Sequence, residues 1–477
     1  MKTLIVGGGI SGLLLAYRLY PSSSITLMER NDHLGGRIHS MDHYECGAYR
    51  IHQSHKRVFD LAKELGVTLD PWHIQKVFVN MKAPPRSSED PHTSMTWWDL
   101  HAETGGLKEA EWRDLATGYK EGTDVASEGY PMDMAAKGGW YFAPDGLSQF
   151  IHVLSSRLEG KIDLHLSTRV VECVKVGKRY EATFLARRGK SESRTFSQTF
   201  DRVIFAVSPI DMTHLTLVKE HGMAVASAVK WQPLHRIYAK VKGLRRDELR
   251  LLEKTKIVSP SLLQQTIGCP PFRGKSEASD PWIQVAYCEG QIARFWNDLL
   301  LGKGRREFED RLAKEVNEVL SSFFRRRLSI RLTNIDSHYW SQAVHGWHPT
   351  FGKPKEETIC YLHPVACPNV VFVNEAVSFR QGWIEGSLES AERFLHSTFS
   401  KLKRYKAPRF EVPRDMQWTI LNGRLLNVGQ WKKVHPGSRK AIDNHLYEDI
   451  SDIWKVIHAH YPDAWRQVLG LQFGWLK

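Results

Sequence analysis

Cysteine is scarce in this chain. Six cysteines are scattered over 477 residues, and no two of them have the spacing of a metal site or of a redox motif. The sequence therefore gives no support for a zinc finger or for a disulfide framework. Because thiols stay reduced in the cytoplasm, we expect free, buried cysteines in a cytoplasmic protein.

Long apolar segments and internal repeats are absent as well. No run of 18 or more apolar residues occurs, so no segment is long enough to cross a bilayer as a helix. No segment recurs at the spacing of a solenoid or a propeller. The N-terminus superficially resembles a signal peptide, but glycines interrupt it and no small-residue cleavage site follows. A chain of this length predicts two or three domains.

The sequence is basic, with a formal net charge of +13. Lysine and arginine are spread along the chain and form only short clusters, at residues 325–327 and 401–406. Solvated helix ends and a linker explain such clusters, so we expect no nucleic-acid partner.

The N-terminal residues predict a strand–helix–strand unit. Apolar residues from Thr3 to Val6 predict a strand, Ile10 to Tyr20 a helix, and Ser24 to Met28 a second strand. A βαβ unit of this kind usually belongs to a parallel sheet in an α/β fold.

A glycine motif, Gly7-x-Gly9-x-x-Gly12, joins the first strand to the helix. Its first glycine permits a tight turn, the second lets the backbone approach a pyrophosphate, and the third lets helix and strand pack closely. The helix start, at Ile10 and Ser11, offers free N–H groups to phosphates. Glu29, followed by Arg30, ends the second strand, where a carboxylate accepts hydrogen bonds from ribose. The pattern predicts a dinucleotide site, for NAD or FAD.

Further motifs resemble those of the flavin-containing amine oxidase superfamily. Leu34-Gly35-Gly36-Arg37 is similar to the segment that runs beside the FAD pyrophosphate in that family. Glu45-Cys46-Gly47-Ala48, followed by Tyr49, is similar to the element that approaches the flavin, and Val171 lies in a pattern similar to the strand that covers the adenine. The resemblance implies a Rossmann-like domain that holds FAD non-covalently.

The family's C-terminal flavin motif has a counterpart at residues 372–390. Glu375 stands where an acidic residue meets the ribityl or phosphate of FAD. Gly382, Trp383 and Ile384 stand where a helix N-terminus points at the flavin, which stabilises negative charge on its reduced form. Asn374 departs from the family, which usually has glycine there.

The motifs lie in three separate parts of the chain, with later strands predicted at Arg202–Val207 and Asn369–Val373. We expect residues 401–413 to form a linker, since they are rich in Lys, Arg and Pro. We expect an α+β substrate domain from residues 71–144 and 241–355, inserted into a discontinuous FAD-binding domain from residues 1–70, 145–240 and 356–400.

Three residues are candidates for the catalytic region. In this family two aromatic rings commonly flank the substrate nitrogen over the flavin face. The resemblance places Trp383 at one position and Trp347 at the other, and the alternative for each is a core tryptophan. His214 stands where many relatives have a lysine that holds a water. It either positions water or takes a proton near neutral pH, or it lies at the surface.

Residues 414–477 resemble the cytochrome b5-like haem domain in the form fused to fatty-acid desaturases. The pattern alternates apolar residues from Trp418, turns at Gly423 and presents His435 before Pro-Gly. The resemblance implies a small α+β domain with His435 and either His458 or His460 as axial ligands of haem b. A degenerate domain without haem is the alternative.

The sequence thus predicts an FAD-dependent oxidoreductase of the amine-oxidase type. Such an enzyme oxidises the CH–NH bond of a small-molecule amine and passes electrons to oxygen, to a redox partner or to the fused haem. A desaturase or protoporphyrinogen-type oxidase acting on CH–CH bonds is the second interpretation. A non-catalytic flavoprotein scaffold with a degenerate b5-like interaction module is the third.

Overall fold

A computed structural model of the protein describes residues 1–80, 139–188, 192–219, 225, 229–270, 272–273, 281–347, 369–396, 417–421, 424–433, 435, 439–448, 450 and 472–475. Its strands are, in chain order, β1 Lys2–Val6, β2 Ser24–Met28, β3 Ile51–His52, β4 Asp70–Trp72, β5 Gln75–Phe78, β6 Trp140–Phe142, β7 Asp163–His165, β8 Thr168–Val176, β9 Arg179–Arg188, β10 Glu192–Phe200, β11 Arg202–Phe205, β12 Val229–Lys242, β13 Thr255–Val258, β14 Gln265–Gly268, β15 Trp282–Glu289, β16 Arg331–Trp347, β17 Val370–Phe372, β18 Trp418–Leu421, β19 Arg424–Asn427 and β20 Gln472–Trp475. Its α-helices are α1 Ile10–Leu19, α2 Lys56–Leu65, α3 Ser148–Leu158, α4 Arg246–Glu253, α5 Gly290–Lys303, α6 Arg305–Phe323, α7 Ile384–Leu395 and α8 Arg439–Asp443.

A five-stranded parallel sheet, in the order β17-β11-β1-β2-β7, carries the N-terminal fold. In its centre Leu4 of β1 lies opposite Thr26 of β2 and Val203 of β11. The predicted βαβ unit is confirmed, since β1, α1 and β2 follow each other at the expected residues. Strand β11 ends at Phe205, earlier than predicted, because the chain then turns toward a short 3-10 helix at Pro209–Met212.

Both faces of this sheet are covered. On one face α1, α3 and α7 pack through residues such as Leu13, Phe150 and Leu388. On the other face lies the antiparallel sheet β10-β9-β8, which contributes the fully buried Phe184 and Phe200. Burial on both faces explains why the strands are continuous apolar runs in the sequence. The arrangement confirms the predicted α/β, Rossmann-like class.

A second, six-stranded sheet has the order β16-β12-β15-β14-β13-β5. Helices α5 and α6 pack on it through Trp296, Phe308 and Leu312, all fully buried. Elsewhere the sheet meets the N-terminal fold, where Leu234 and Tyr287 join an apolar cluster with Tyr49. Its strands come mostly from the chain segment that we predicted as a substrate domain, an assignment that stays a prediction.

The C-terminal residues form a small antiparallel sheet, β18-β19-β20, in which Trp418 lies opposite Asn427. The predicted turn at Gly423 lies outside the described residues, as do His458 and His460. The identification of this module as a haem domain therefore stays a prediction.

Cysteine chemistry and membrane spans were two further expectations. The four cysteines in the described ranges, Cys46, Cys173, Cys269 and Cys288, are free and buried, as expected. Within the same ranges no helix is both long enough and apolar enough to cross a membrane.

Candidate functional site: a cavity between two sheets

A cavity of about 500 Å³ lies between the carboxyl ends of the parallel strands and the six-stranded sheet. It brings together nearly all of the predicted cofactor-binding residues. Those that line it are Gly7, Gly9, Ile10, Ser11, Glu29, Arg30, Gly35, Gly36, Arg37, Gly47, Ala48, Tyr49, Glu375, Gly382, Trp383 and Ile384.

The glycine turn forms one wall of the cavity. Gly7 has a φ of +105° and its N–H donates to the Met28 carbonyl at 2.8 Å. A Cβ atom at Gly12 would lie 2.0 Å from the Gly7 carbonyl oxygen, so only glycine lets α1 pack this closely. Gly9 precedes α1 and provides no side-chain cap, so the N–H groups at Ile10 and Ser11 begin the helix beside the cavity. Such a helix start is a ready site for phosphate.

Glu29 is held rigidly at the end of β2. It is buried, and its two carboxylate oxygens accept from the N–H groups of Gly8 at 2.7 Å and Asn31 at 2.9 Å. A carboxylate offers about four acceptor positions, so two bonds leave capacity for ribose hydroxyls. The neighbouring Arg30 is exposed and pairs with Asp211 at 3.1 Å.

Arg37 and Glu375 meet across the cavity. Arg37 Nη1 lies 2.6 Å from Glu375 Oε1 and donates to the Ala343 carbonyl at 2.9 Å. Nδ1 of the buried His345 lies 2.8 Å from the same carboxylate. Burial acts to raise the pKa of Glu375, but Arg37 and His345 outweigh it, and the pKa lies well below its usual range. Glu375 is therefore ionised, and it holds Arg37 at the wall of the cavity.

Aromatic rings line another part of the cavity. Trp383 stacks on Trp140, with ring centroids 5.7 Å apart, and lies 5.0 Å from the ring of His55. Trp340 also lines the cavity, and its Nε1 donates to the Cys46 carbonyl at 2.8 Å. The side chain of Trp347, predicted as the second aromatic wall, lies outside the described residues. Trp340 lies on the same strand, and its ring lines the cavity.

His214 lies at the wall of the cavity. Its Nε2 lies 3.4 Å from Arg169, which follows Thr168, and the Thr168 N–H donates to the Glu29 carbonyl. Asp211, in the short helix just before it, pairs with Arg30. His214 therefore lines the cavity among residues close to Glu29, and its predicted catalytic role stays a prediction.

Val171 lies in strand β8, which begins at Thr168. Thr168, Arg169 and Val170 line the cavity and Val171 is not among the lining residues, so its contact with the adenine stays a prediction. The strand pairing with β9 is irregular between Val170 and Glu172, which the sequence pattern did not reveal.

Glu45, from the quoted Glu45-Cys46-Gly47-Ala48 motif, is a fully buried carboxyl. Its oxygens accept from the Leu147 N–H and the Ser40 hydroxyl, both at 2.7 Å, at the start of α3. Burial raises its pKa to about 7, and the hydrogen bonds from Leu147 and Ser40 and the charge of Arg236 oppose that rise. This group ionises close to neutral pH.

Several lining residues were not predicted. Trp340 is one of them, and it lies on the same strand as the predicted Trp347, so the nearby tryptophans of that strand were the signal that could have found it. Arg236, Gln265 and Tyr287 come from strands β12, β14 and β15. Nothing local in the sequence marks these three, because they reach the cavity only through the packing of the two sheets.

His435, the predicted first haem ligand, lies with its ring centroid 4.5 Å from that of Trp431. Its predicted partners at 458 and 460 are outside the described residues, so the ligand pair is untested. Among the residues that the structure does describe, no group of three His, Cys, Asp or Glu side chains is arranged to hold a metal ion.

Comparisons with known proteins address the fold. Residues 5–65 match the family model of the NAD(P)-binding Rossmann-like domain. A crystal structure assigned as a protoporphyrinogen oxidase from Exiguobacterium sp. 255-15 is similar, with a TM-score of 0.59 and 15% identity over 84% of this chain and 99% of that chain. A double mutant of putrescine oxidase, redesigned in cofactor binding, is similar with a TM-score of 0.55 and 15% identity over the same shares. This chain has the fold of both oxidases.

The search of the curated proteins found no match. The likeness to the two oxidases confirms the predicted Rossmann-like architecture through most of the chain. Since fold does not determine function, the chemistry has to be argued from the cavity itself.

Proposed function

We propose that the protein is an FAD-dependent oxidoreductase of the amine-oxidase type. The observation that carries the proposal is a single cavity lined at once by the glycine turn, by Glu29 and by Trp383 and Trp340. An elongated dinucleotide would fit such a cavity, with its nucleotide half at the glycine turn and Glu29 and its flavin ring at the tryptophans.

The residues present suit FAD. The cradle at Gly7 and Gly12 has no room for a Cβ, and the start of α1 suits a pyrophosphate. Arg37, fixed by Glu375, supplies a positive charge beside it. Ile384 begins α7 at the cavity, where the positive end of the helix favours negative charge on the flavin. When bound, FAD supplies the electron acceptor that protein side chains lack.

The tryptophans shape the reacting region. Trp383 and Trp140 stack, and Trp340 is anchored through its Nε1, so the rings keep fixed positions. Ring faces attract the partial positive charge of an amine and exclude water, which would otherwise compete in the reaction. In the proposed reaction an amine CH–NH loses two electrons and two protons to become an imine, and water hydrolyses the imine. Oxygen or a redox partner would finally take both electrons, or a haem bound in the C-terminal module would take them one at a time.

A second candidate is oxidation of a CH–CH bond. The histidine at position 214 favours it, because many relatives that oxidise amines have a lysine there. One of the two similar structures is assigned as a protoporphyrinogen oxidase and the other is named a putrescine oxidase, so the fold is compatible with either bond.

The decisive test is the absorption spectrum of the purified full-length chain, followed by release and identification of the cofactor. We expect flavin bands and one FAD per chain. The variant Gly12→Ala should lose the cofactor, since its Cβ would lie 2.0 Å from the Gly7 carbonyl. The control Gly302→Ala should keep it, because no atom lies within 4 Å of the added Cβ. A colourless protein, or one that carries NAD, would refute the proposal.

The two bond classes are separated by product. Under air, hydrogen peroxide should form with amines and not with porphyrinogens or other CH–CH substrates. The reverse pattern would favour the second candidate. In the same spectrum a Soret band that shifts on reduction would support haem bound by His435 and a later histidine.

A further inference from the structure

The six-stranded sheet contributes a charged, buried corner to the cavity. Arg236 of β12 and Gln265 of β14 line it beside Tyr49 and Tyr287. These residues belong to neither the glycine turn nor the tryptophan cluster. The corner is therefore a candidate binding site for a polar group of a ligand.

Arg236 is held between two rings. Its guanidinium carbon lies 5.3 Å from the ring centroid of Tyr49 and 5.2 Å from that of Tyr287, and the residue is 4% exposed. Its Nη1 donates to the main-chain carbonyl of Glu45 at 3.3 Å. Stacking of this kind orients the planar fork of donors, which matches the two oxygens of a carboxylate. A buried positive charge at a cavity wall also favours an anion there.

Gln265 adds a second polar group. It is 1% exposed, lines the cavity, and its Nε2 has no hydrogen-bond partner within the part of the chain that the structure describes. A buried amide N–H without a partner destabilises the protein, so a ligand that supplies an acceptor is favoured there. Oxygen and nitrogen of a glutamine amide exchange places by rotation about the last side-chain bond, so the group can turn its NH₂ toward a ligand. Nε2 is buried in its present orientation, and after that rotation an acceptor oxygen in the cavity would satisfy it.

We propose that this corner binds a carboxylate group of the substrate, with Arg236 as the charged donor and Gln265 as the second donor. The proposal rests on the proposed function only in taking this cavity as the substrate site. It applies equally to a CH–NH and a CH–CH substrate, since the carboxylate is a handle remote from the reacting bond.

The test compares a carboxylate with its neutral counterpart. Benzoate and benzamide are titrated into the purified full-length protein, with its cofactor content measured beforehand, and binding is followed by calorimetry. We expect benzoate to bind about tenfold or more tightly than benzamide. Arg236→Met should lose about tenfold or more of the benzoate affinity, with benzamide unchanged. Arg236→Lys should lose less, because it keeps the charge and loses the fork.

Two further variants keep the result interpretable. Arg306→Met is the matched control, since the Arg306 side chain is 97% exposed on α6. Gln265→Met removes the amide while leaving every charge in place, so it tests the corner even if the Arg236 variants do not fold. We expect a loss of several-fold in benzoate affinity for Gln265→Met and none for Arg306→Met.

Outcomes for the two proposals are separable. A protein without FAD that still prefers benzoate refutes the proposed function and retains the carboxylate corner. A yellow protein that binds benzoate and benzamide equally refutes the corner and retains the flavoenzyme. Unchanged benzoate affinity in a folded Arg236→Met variant also refutes the corner.

Discussion

Glu45 makes the stability of this protein depend on pH near neutrality. The carboxyl is fully buried, and burial raises its pKa to about 7 from an ordinary value of 4.5. Replacing it by glutamine keeps the hydrogen bonds possible: the amide oxygen accepts from the Leu147 N–H and the amide NH₂ donates to the Ser40 hydroxyl. The variant Glu45→Gln therefore removes the ionisation with little change in packing.

The sign and size of the effect follow from linkage. Below pH 4.5 the carboxyl is protonated in the folded and the unfolded chain, and folding bears no penalty. As the pH rises, the unfolded chain ionises first, so the free energy of unfolding falls until the folded carboxyl ionises at about 7. The full loss is about 3 kcal/mol, of which about 2 kcal/mol falls between roughly pH 5.5 and 8.5.

The assay is urea unfolding of wild type and Glu45→Gln at several pH values in that window, followed by circular dichroism. We expect the variant to gain about 2 kcal/mol over the wild type as the pH rises from roughly 5.5 to 8.5. Taking the difference between the two proteins removes the contributions of other titrating groups. A difference that stays constant with pH, or that shrinks as the pH rises, would refute the assignment of a raised pKa to this carboxyl.

Three other substitutions test the cavity and the C-terminal module. Glu375→Gln removes the counter-charge of Arg37 and should lower the free energy of unfolding by about 3–5 kcal/mol in urea titrations; a loss below 1 kcal/mol would contradict the buried ion pair. Trp383→Ala should lower kcat about tenfold or more in steady-state kinetics, whereas Trp383→Phe should keep most of it; equal losses would argue against a ring-shape role. His435→Ala should abolish any Soret band, whereas His445→Ala should leave it unchanged. The opposite pattern would assign the haem ligand to His445 instead of His435.

Local sequence was sufficient to place the glycine turn and Glu29 at the cavity. Gly7, Gly12 and Glu29 lie within one βαβ unit, so their spacing along the chain determines their spacing in the structure. Gly7 needs a positive φ and Gly12 a contact at which a Cβ would clash, and both requirements act over a few residues. Glu375 was predicted differently, through the resemblance of residues 372–390 to the C-terminal flavin motif of the amine oxidase superfamily.

The other side of the cavity depends on long-range packing. Trp340 reaches the cavity from β16, and nothing in the local sequence distinguishes it from other tryptophans of the chain. Val170 lines the cavity next to an irregular pairing of β8 with β9, which the sequence pattern does not reveal. Arg236, Gln265 and Tyr287 come from three strands that are distant in sequence.

Glu45 shows why the two halves act as one site. Its side chain binds the start of α3, while its main-chain carbonyl accepts from Arg236 at 3.3 Å and from the Tyr238 hydroxyl at 2.6 Å on β12. A rotation of the six-stranded sheet would therefore break bonds at the same residue that orders α3 against the parallel sheet. Because one residue anchors both elements, hydrogen bonds fix the position of Arg236 relative to the start of α3. A substrate held at the proposed Arg236 corner would therefore lie at a constant distance from Trp340 and Trp383.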